Sequence, residues 1–169
     1  MAEFIARDRN WALDYLTDAE RDEIEAEAAC YPRRDSLAIE ALRVVQNHRG
    51  WVSDDSVAAI ADYLGMGAAQ VDAVATFYNL IFREPVGKKV ILLCNSVVCW
   101  MQGCERLRAH IGERLGIDYG ETTGDGEYTL LPITCLGDCD HAPALMIGDD
   151  HHHDLDTKEL DRILATRED

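Results

Sequence analysis

The chain has 169 residues, of which 47% are hydrophobic and 28% are charged, and its formal net charge is -16 at pH 7. This composition is typical of a globular protein with room for one ordinary domain or two small ones. No apolar run reaches the roughly 18 residues of a membrane-spanning helix, so direct membrane insertion is not expected. The negative charge would repel phosphate backbones, and this argues against a nucleic-acid partner.

The charge is unevenly distributed along the chain. Residues 1–117 hold 18 acidic and 13 basic side chains, a net of -5, whereas residues 118–169 hold 14 acidic and 3 basic side chains, a net of -11. Such an acidic region is interpreted either as a solubilising surface or as a docking surface for a basic partner. The first residues lack the basic and apolar segments of a secretory signal, so we expect a protein of the bacterial cytoplasm.

The first 85 residues carry four amphipathic patterns that predict helices. Thr17-Asp18-Ala19-Glu20 has the spacing of a capping box and begins a helix predicted to run to about Cys30. A second helix is predicted after Ser36 and a third after Ser53, and a fourth is predicted at about 68–80. Their inward-facing stripes comprise Ala38, Ala41, Leu42 and Val45, then Val57, Ile60, Ala61 and Leu64, then Val71, Val74, Ala75 and Tyr78. Gly50 and Gly65 are predicted to end the second and third helices.

The pattern changes after residues 83–87, which include Pro85 and Gly87 and favour a break in the chain. We therefore predict a helical bundle over 1–85 and a second domain over 86–169. Within the second domain, short β-branched runs predict strands and helical periods predict helices. In chain order these are a strand at 89–94, a helix at about 102–115, strands at 128–133, 144–147 and 151–153, and a final helix capped at 156–159. This order indicates an α/β layer structure.

Six cysteines are notable in a chain expected in a reducing compartment, where disulfides are rare. Four of them form two pairs, each expected on a loop after a predicted strand, with Cys94 and Cys99 separated by four residues and Cys135 and Cys139 by three. Neighbouring strands would bring these pairs together. Four thiolates so placed can hold two irons bridged by two sulfides, with one pair on each iron, so we predict a 2Fe–2S cluster.

The spacing alone leaves alternatives open. It differs from the cysteine runs of plant-type and bacterial 4Fe–4S ferredoxins, and from zinc ribbons, whose paired cysteines are usually two residues apart. Structural zinc and unrelated buried thiols therefore remain alternatives to the cluster. Between the cysteines, Gly137 is expected to let the backbone approach the sulfides, and Val97 and Val98 are expected to help exclude water.

The remaining candidates are interpreted as structural. Cys104 lies on the apolar stripe of the helix predicted at 102–115, and Cys30 lies at a helix end. The histidines at 151–153 are interpreted as a solvated turn or edge strand, because adjacent strand residues alternate faces and at most two could share a metal. Neither a dinucleotide fingerprint nor a P-loop motif occurs, so no nucleotide site is expected on this chain.

Two segments resemble a known family. Cys94-x4-Cys99 with Cys135-Leu-Gly-Asp-Cys139-Asp-His-Ala-Pro143 is similar to the thioredoxin-like 2Fe–2S ferredoxin family. The segment Val-Ala-Thr-Phe-Tyr at 74–78 resembles a stretch typical of the E-subunit family of bacterial NADH–quinone oxidoreductases, respiratory complex I. The resemblance extends over nearly the whole chain beyond roughly its first dozen residues, and the histidines at 151–153 depart from it.

The resemblance implies a fold and a role. The fold would be a helical bundle followed by a thioredoxin-like α/β domain, with the cluster on Cys94, Cys99, Cys135 and Cys139. The chain would be an electron-transfer subunit without catalytic residues of its own, bound to the flavoprotein (F) subunit, which carries FMN and the NADH site. Other peripheral-arm subunits would adjoin it at the cytoplasmic face of the bacterial inner membrane.

The resemblance does not separate complex I from related enzymes. The equivalent diaphorase subunit of an NAD-linked hydrogenase or formate dehydrogenase has the same motif and remains an alternative. A zinc-stabilised binding module without a redox role is the alternative from a different class.

Overall fold

Two successive stretches of the chain each build their own hydrophobic core. The computed structural model describes residues 11–165, and the chain divides after Pro85 into two units, 1–85 and 86–169. Among the described residues, no helix has the length and apolar character needed to cross a lipid bilayer.

The described part of the first unit contains helices and no strand. Its α-helices are α1 (Trp11–Tyr15), α2 (Asp18–Ala28), α3 (Ala38–Arg49), α4 (Asp54–Leu64) and α5 (Ala68–Phe77). A short 3-10 helix, Arg34–Leu37, leads directly into α3. The four helices predicted from the sequence are present, and α1 was not predicted.

The ends of these helices follow the predicted capping residues. Thr17 and Glu20 form a reciprocal capping box at the start of α2, in which the Thr17 side chain accepts from the Glu20 N–H and the Glu20 carboxylate accepts from the Thr17 N–H. The Ser53 side chain caps α4 by accepting from the Ser56 N–H. Gly50 ends α3 at a φ of 84°, a left-handed conformation that glycine adopts without steric cost.

The apolar stripes pack into one core. The predicted inward residues of α3 and α4 are all buried, and their packing is the main reason that these helices are stable in water. In α5, Val71 and Ala75 are buried, whereas Tyr78 is not. The prediction for Tyr78 was wrong, because the helix ends at Phe77 and Tyr78 adopts an extended backbone with 47% of its surface exposed.

A charged pair lies beside this core. The Arg49 guanidinium at the end of α3 donates two hydrogen bonds of 2.6 Å to the carboxylate of Glu20, which is only 1% exposed. The same guanidinium donates to the Tyr15 carbonyl and lies 4.6 Å from the centre of the Tyr15 ring. The pair therefore joins α2 to α3.

The second unit alternates strands and helices. Its elements are β1 (Lys89–Cys94), α6 (Val97–Met101), α7 (Cys104–Leu115), β2 (Tyr128–Ile133), β3 (Leu145–Ile147), β4 (Asp150–His152) and α8 (Thr157–Ala165). All the predicted strands and helices occur, with ends displaced by at most two residues. The short helix α6 was not predicted.

These elements form a mixed four-stranded sheet in the order β2-β1-β3-β4. β1 runs parallel to β2 and antiparallel to β3, and β3 is antiparallel to β4. The helices α7 and α8 bury their apolar faces against the sheet, in a core that includes Ile91, Leu130 and Leu160. This arrangement confirms the predicted fold class, a helical bundle followed by a thioredoxin-like domain.

The outer side of β2 is occupied by the segment that precedes it. The Tyr128 N–H donates to the Thr123 side chain, and the Leu130 N–H donates to the Glu121 carbonyl. The next residue with the same orientation is Pro132, which has no N–H to donate.

Candidate metal centre

The first cysteine pair lies at the carboxyl end of β1. Cys94 is the last residue of the strand, and Cys99 lies in the middle of α6, the helix that follows. Both side chains are 2% exposed. Cys99 therefore comes from a helix rather than from the loop that the sequence predicted.

The second pair lies at the same edge of the sheet. Cys135 follows β2 by two residues, and the parallel register places Cys94 opposite Ile133, the last residue of β2. Cys135 and Cys139 are exposed, and their sulfur atoms are 3.7 Å apart. Because β1 and β2 are adjacent, the two cysteine pairs lie at the same edge of the sheet, as the prediction of neighbouring strands implied.

Within the buried pair, the pKa values of the two thiols are shifted in opposite directions. Burial, together with a hydrogen bond to Cys94, raises the pKa of Cys99 to about 11. Burial would raise the pKa of Cys94 too, but hydrogen bonds from Ser96 and from the Leu136 N–H, together with the Cys99 thiol, hold it below the usual value. Cys94 is therefore the sulfur that carries negative charge most readily, and Cys99 donates to it.

In the exposed pair, the two sulfur atoms contact each other, and a backbone N–H of the loop donates to one of them. The pKa of Cys139 is raised, first by its hydrogen bond with Cys135 and then by the charge of Cys135. The Gly137 N–H donates to the Cys135 sulfur at 3.3 Å. Gly137 has a φ of 86°, and no atom lies within 4 Å of the place where a Cβ would be. Glycine adopts this left-handed conformation without steric cost, and the close approach to the sulfides that we expected there stays a prediction.

The sulfur geometry suits two metal ions better than one. Two thiolates at about 2.3 Å from the same tetrahedral metal ion lie roughly 3.8 Å apart, close to the 3.7 Å between Cys135 and Cys139. A mononuclear tetrathiolate site needs all four sulfurs at that separation. Among the described residues, the four cysteines are not a group with ligand atoms within 4.8 Å of one another. One pair for each of two irons fits this arrangement, and the N–H groups aimed at sulfur are the donors that such clusters use.

Other sequence predictions at this site have mixed outcomes. Cys104 is fully buried in α7, as its apolar stripe indicated, whereas Cys30 is exposed and contributes nothing to the core. Val97 is 68% exposed and Val98 is half-buried, and the role in excluding water that we expected of them stays a prediction. The sequence also gave no sign of Ala144, whose N–H lowers the pKa of Cys99 although burial raises it more.

The triple histidine lies beside the second pair. A short edge strand is present as predicted, but it ends one residue earlier, so His151 belongs to β4 and His153 follows it. Both Nδ1 atoms face one oxygen of Asp138, at 3.9 Å for His151 and 3.3 Å for His153. The side chains of residues 151 and 153 thus lie on the same side of the chain, as the alternation of side chains along a strand predicts.

Comparison with known proteins identifies the family. The model of the family described as "Thioredoxin-like [2Fe-2S] ferredoxin" matches residues 24–168. The chain belongs to this family. The description of the family names a 2Fe–2S cluster, which confirms the predicted cofactor. The assignment of the four cysteines as its ligands remains a prediction.

Similarity to curated relatives shows to which group within the family the chain belongs. The chain is 48% identical over 149 residues to the E subunit of the NADH-quinone oxidoreductase of Pseudomonas aeruginosa, covering 88% of this chain and 90% of that one. It is 47% identical to the protein of the same name from Escherichia coli K12, with the same coverage. The predicted membership of the E-subunit family is therefore confirmed.

Solved structures share the fold of the family. Two are chains of an NAD+-reducing [NiFe]-hydrogenase, in the air-oxidised state and in the H2-reduced state. The first is 24% identical with a TM-score of 0.58, and the second is 23% identical with a TM-score of 0.62. The matches cover 66% and 73% of this chain but only 19% and 21% of those chains, and at this identity they show a common fold alone.

Proposed function

We propose that this chain holds one 2Fe–2S cluster on Cys94, Cys99, Cys135 and Cys139 and is the electron-transfer subunit of an NADH–quinone oxidoreductase. The main support is the meeting of the two cysteine pairs at one edge of the sheet, in a chain that is 48% identical to a subunit of that name. The proposal includes two domains, a helical one over 1–85 and a cluster domain over 86–169.

The residues of this chain have distinct roles in the proposal. The bound cluster supplies one-electron transfer without proton chemistry. Cys94 and Cys99 bind from a buried position, which limits water at one iron. The N–H groups of Gly137 and Leu136 donate to Cys135 and Cys94, and they stabilise the negative charge on these sulfurs.

A division of labour with a partner completes the proposal. The sequence contains no dinucleotide or P-loop motif, so FMN and NADH are assigned to the flavoprotein (F) subunit. Other peripheral-arm subunits would adjoin the pair at the cytoplasmic face of the bacterial inner membrane. The diaphorase alternative has less support, because the hydrogenase chains share only the fold.

The ligand assignment is tested by six single substitutions. Replacing Cys94, Cys99, Cys135 or Cys139 with Ala removes one of four iron ligands, so we expect iron and sulfide content to fall to a small fraction of the wild-type value. Cys30→Ser and Cys104→Ser are the matched controls and should keep full content. Visible absorption separates the cluster from zinc, because a zinc protein is colourless. Full iron in Cys135→Ala would contradict the assignment.

The division of labour is tested by reconstitution. The isolated chain with its cluster should not oxidise NADH, whereas co-expression with the flavoprotein subunit should give a stable pair that reduces artificial electron acceptors. Purification of the tagged chain from its native cell should also recover quinone-reducing membrane subunits. Recovery of a hydrogenase large subunit instead would favour the diaphorase alternative, and NADH oxidation by the pure chain would overturn the assignment of the nucleotide site.

A further inference from the structure

Imidazoles and carboxylates from two segments of the chain converge beside the loop that carries Cys139. Asp138, Asp140 and His141 come from this loop, and His153 and Asp154 come from the segment that follows β4. We call these five residues the histidine–carboxylate cluster. None of them is among the cysteines proposed to hold the irons.

Three of these side chains already present metal-binding atoms to a common space. One oxygen of Asp138, one oxygen of Asp140 and one ring nitrogen of His141 all lie within 4.8 Å of one another. Among the described residues, this is the one group of three or more His, Cys, Asp or Glu side chains that meets this condition.

The orientation of His141 matches that of a metal-binding histidine. Its Nδ1 lies 2.9 Å from an oxygen of Asp154, and its Nε2 is directed towards Asp140, at 3.7 Å from the carboxylate. Histidines that bind metal ions usually donate one ring N–H to a carboxylate, which fixes the ring and leaves the other nitrogen for the metal. Asp154 has that orienting position here.

A fourth ligand is available from the segment that follows β4. The Nδ1 of His153 lies 3.3 Å from an oxygen of Asp138, and its ring centre is 5.0 Å from that of His141. Ligand atoms about 2.0 Å from one tetrahedral zinc ion are roughly 3.3 Å apart. The separation between His153 and Asp138 has this value, and that between His141 and Asp140 exceeds it by a few tenths of an ångström.

The plainer interpretation is a set of imidazole–carboxylate ion pairs that offsets the acidic surface. Such pairs need one nitrogen and one oxygen each, and they do not require the second nitrogen of His141 to face a further carboxylate, that of Asp140. Imidazole ligands favour zinc, copper and nickel over magnesium and calcium, which prefer oxygen. We propose that Asp138, Asp140, His141 and His153 form a binding site for a divalent first-row transition-metal ion, oriented by Asp154 and separate from the iron–sulfur centre.

Zinc binding to the full chain with its cluster tests the proposal. The Cys30→Ser background removes an exposed thiol that could bind zinc by itself. In equilibrium dialysis followed by elemental analysis, zinc and iron are counted in the same sample, so cluster content is known at every point. We expect one zinc ion per chain at saturation, with the iron content unchanged.

Substitutions locate the bound ion. His141→Ala and His153→Ala should each weaken zinc binding at least tenfold, and Asp140→Asn should weaken it in the same direction. His110→Ala is the matched control and should leave zinc binding unchanged, because His110 also pairs with a carboxylate, Asp161, at 2.9 Å. His153 lies outside the cysteine loop, so its variant tests the site even if His141→Ala lowers the iron content.

Three results would overturn the proposal. They are the absence of saturable zinc binding, zinc binding that is unchanged in both histidine variants, and zinc uptake that occurs only with loss of iron, which would place zinc on the cysteines.

Discussion

Glu20 remains charged although its side chain is buried. Burial by itself would raise the pKa of this carboxyl group, but hydrogen bonds from Arg49 and from the Thr17 N–H outweigh it and lower the pKa below its ordinary value. A carboxyl group whose pKa is lower in the folded protein than in the unfolded chain stabilises the fold above the unfolded value, near 4.3. That contribution is lost as the pH falls through the folded pKa.

Glu20→Gln should therefore destabilise the protein more at neutral than at acidic pH. Loss of charged hydrogen bonds to Arg49 should cost about 2 kcal/mol at pH 7, measured by urea unfolding. The difference from wild type should shrink as the pH falls below the unfolded value, near 4.3, and through the lower folded pKa of Glu20. Glu23→Gln, at an exposed carboxylate paired with His48, is the control and should change little. An equal loss at both pH values would contradict the role given to the charge.

The cysteine site was largely predictable at the level of single residues, and its surroundings were not. Cys94 and Cys135 follow strands that are clear in the sequence, so their meeting required only that β1 and β2 be neighbours. The approach of His153 to Asp138 depends on the register between β3 and β4. Nothing in the spacing of these two residues indicates that register.

At the scale of elements, the spacing of apolar residues predicted the longer helices correctly but missed the shortest ones. α1 and α6 have five residues each, fewer than two turns, so no apolar stripe can repeat within them. Tyr78 continues the stripe of α5 in sequence, but the backbone leaves the helix before it. The spacing of apolar residues shows which face of a helix is buried, but it does not show at which residue the helix ends.

The packing of α3 against α4 provides a test of how far the two units are independent. Ile60 is fully buried in α4, and its replacement by Ala should cost about 2–5 kcal/mol of unfolding free energy. Because Ile60 belongs to the core of the first unit, the visible spectrum of the cluster should not change. Asp62→Ala, at an exposed position of the same helix, is the control. A cluster spectrum altered in Ile60→Ala alone would show that the proposed domains do not behave separately.

At the scale of the whole molecule, the order of the helices and strands was sufficient to predict the fold class. It was not sufficient to predict which strands pair in the sheet. Short strands alternating with helices after a helical stretch indicated the layers, and the family resemblance supplied the thioredoxin-like arrangement. The antiparallel position of β3 beside β1 joins strands that are far apart in sequence. Local patterns carry no information on such pairing, since it is decided by which faces bury apolar surface together.

The occupied outer side of β2 has a consequence for solubility. An edge strand with free N–H and C=O groups is a template on which a second chain can add a strand, and this is a common route to aggregation. On β2, two outward N–H groups are already bonded to the preceding segment, and Pro132 removes the donor at the next outward position. The sheet is therefore protected against growth at this edge by its own sequence.

Pro132→Val should reopen that edge. The substitution restores an outward N–H and adds a residue that favours strands, so we expect self-association that increases with protein concentration. Sedimentation velocity of the cluster-loaded protein measures this directly. Leu131→Val is the matched control, because the alternation of the strand turns the N–H of residue 131 towards β1, and it should remain monodisperse at concentrations where Pro132→Val forms larger species. Equal self-association of the two variants would show that Pro132 does not protect this edge of the sheet against strand addition.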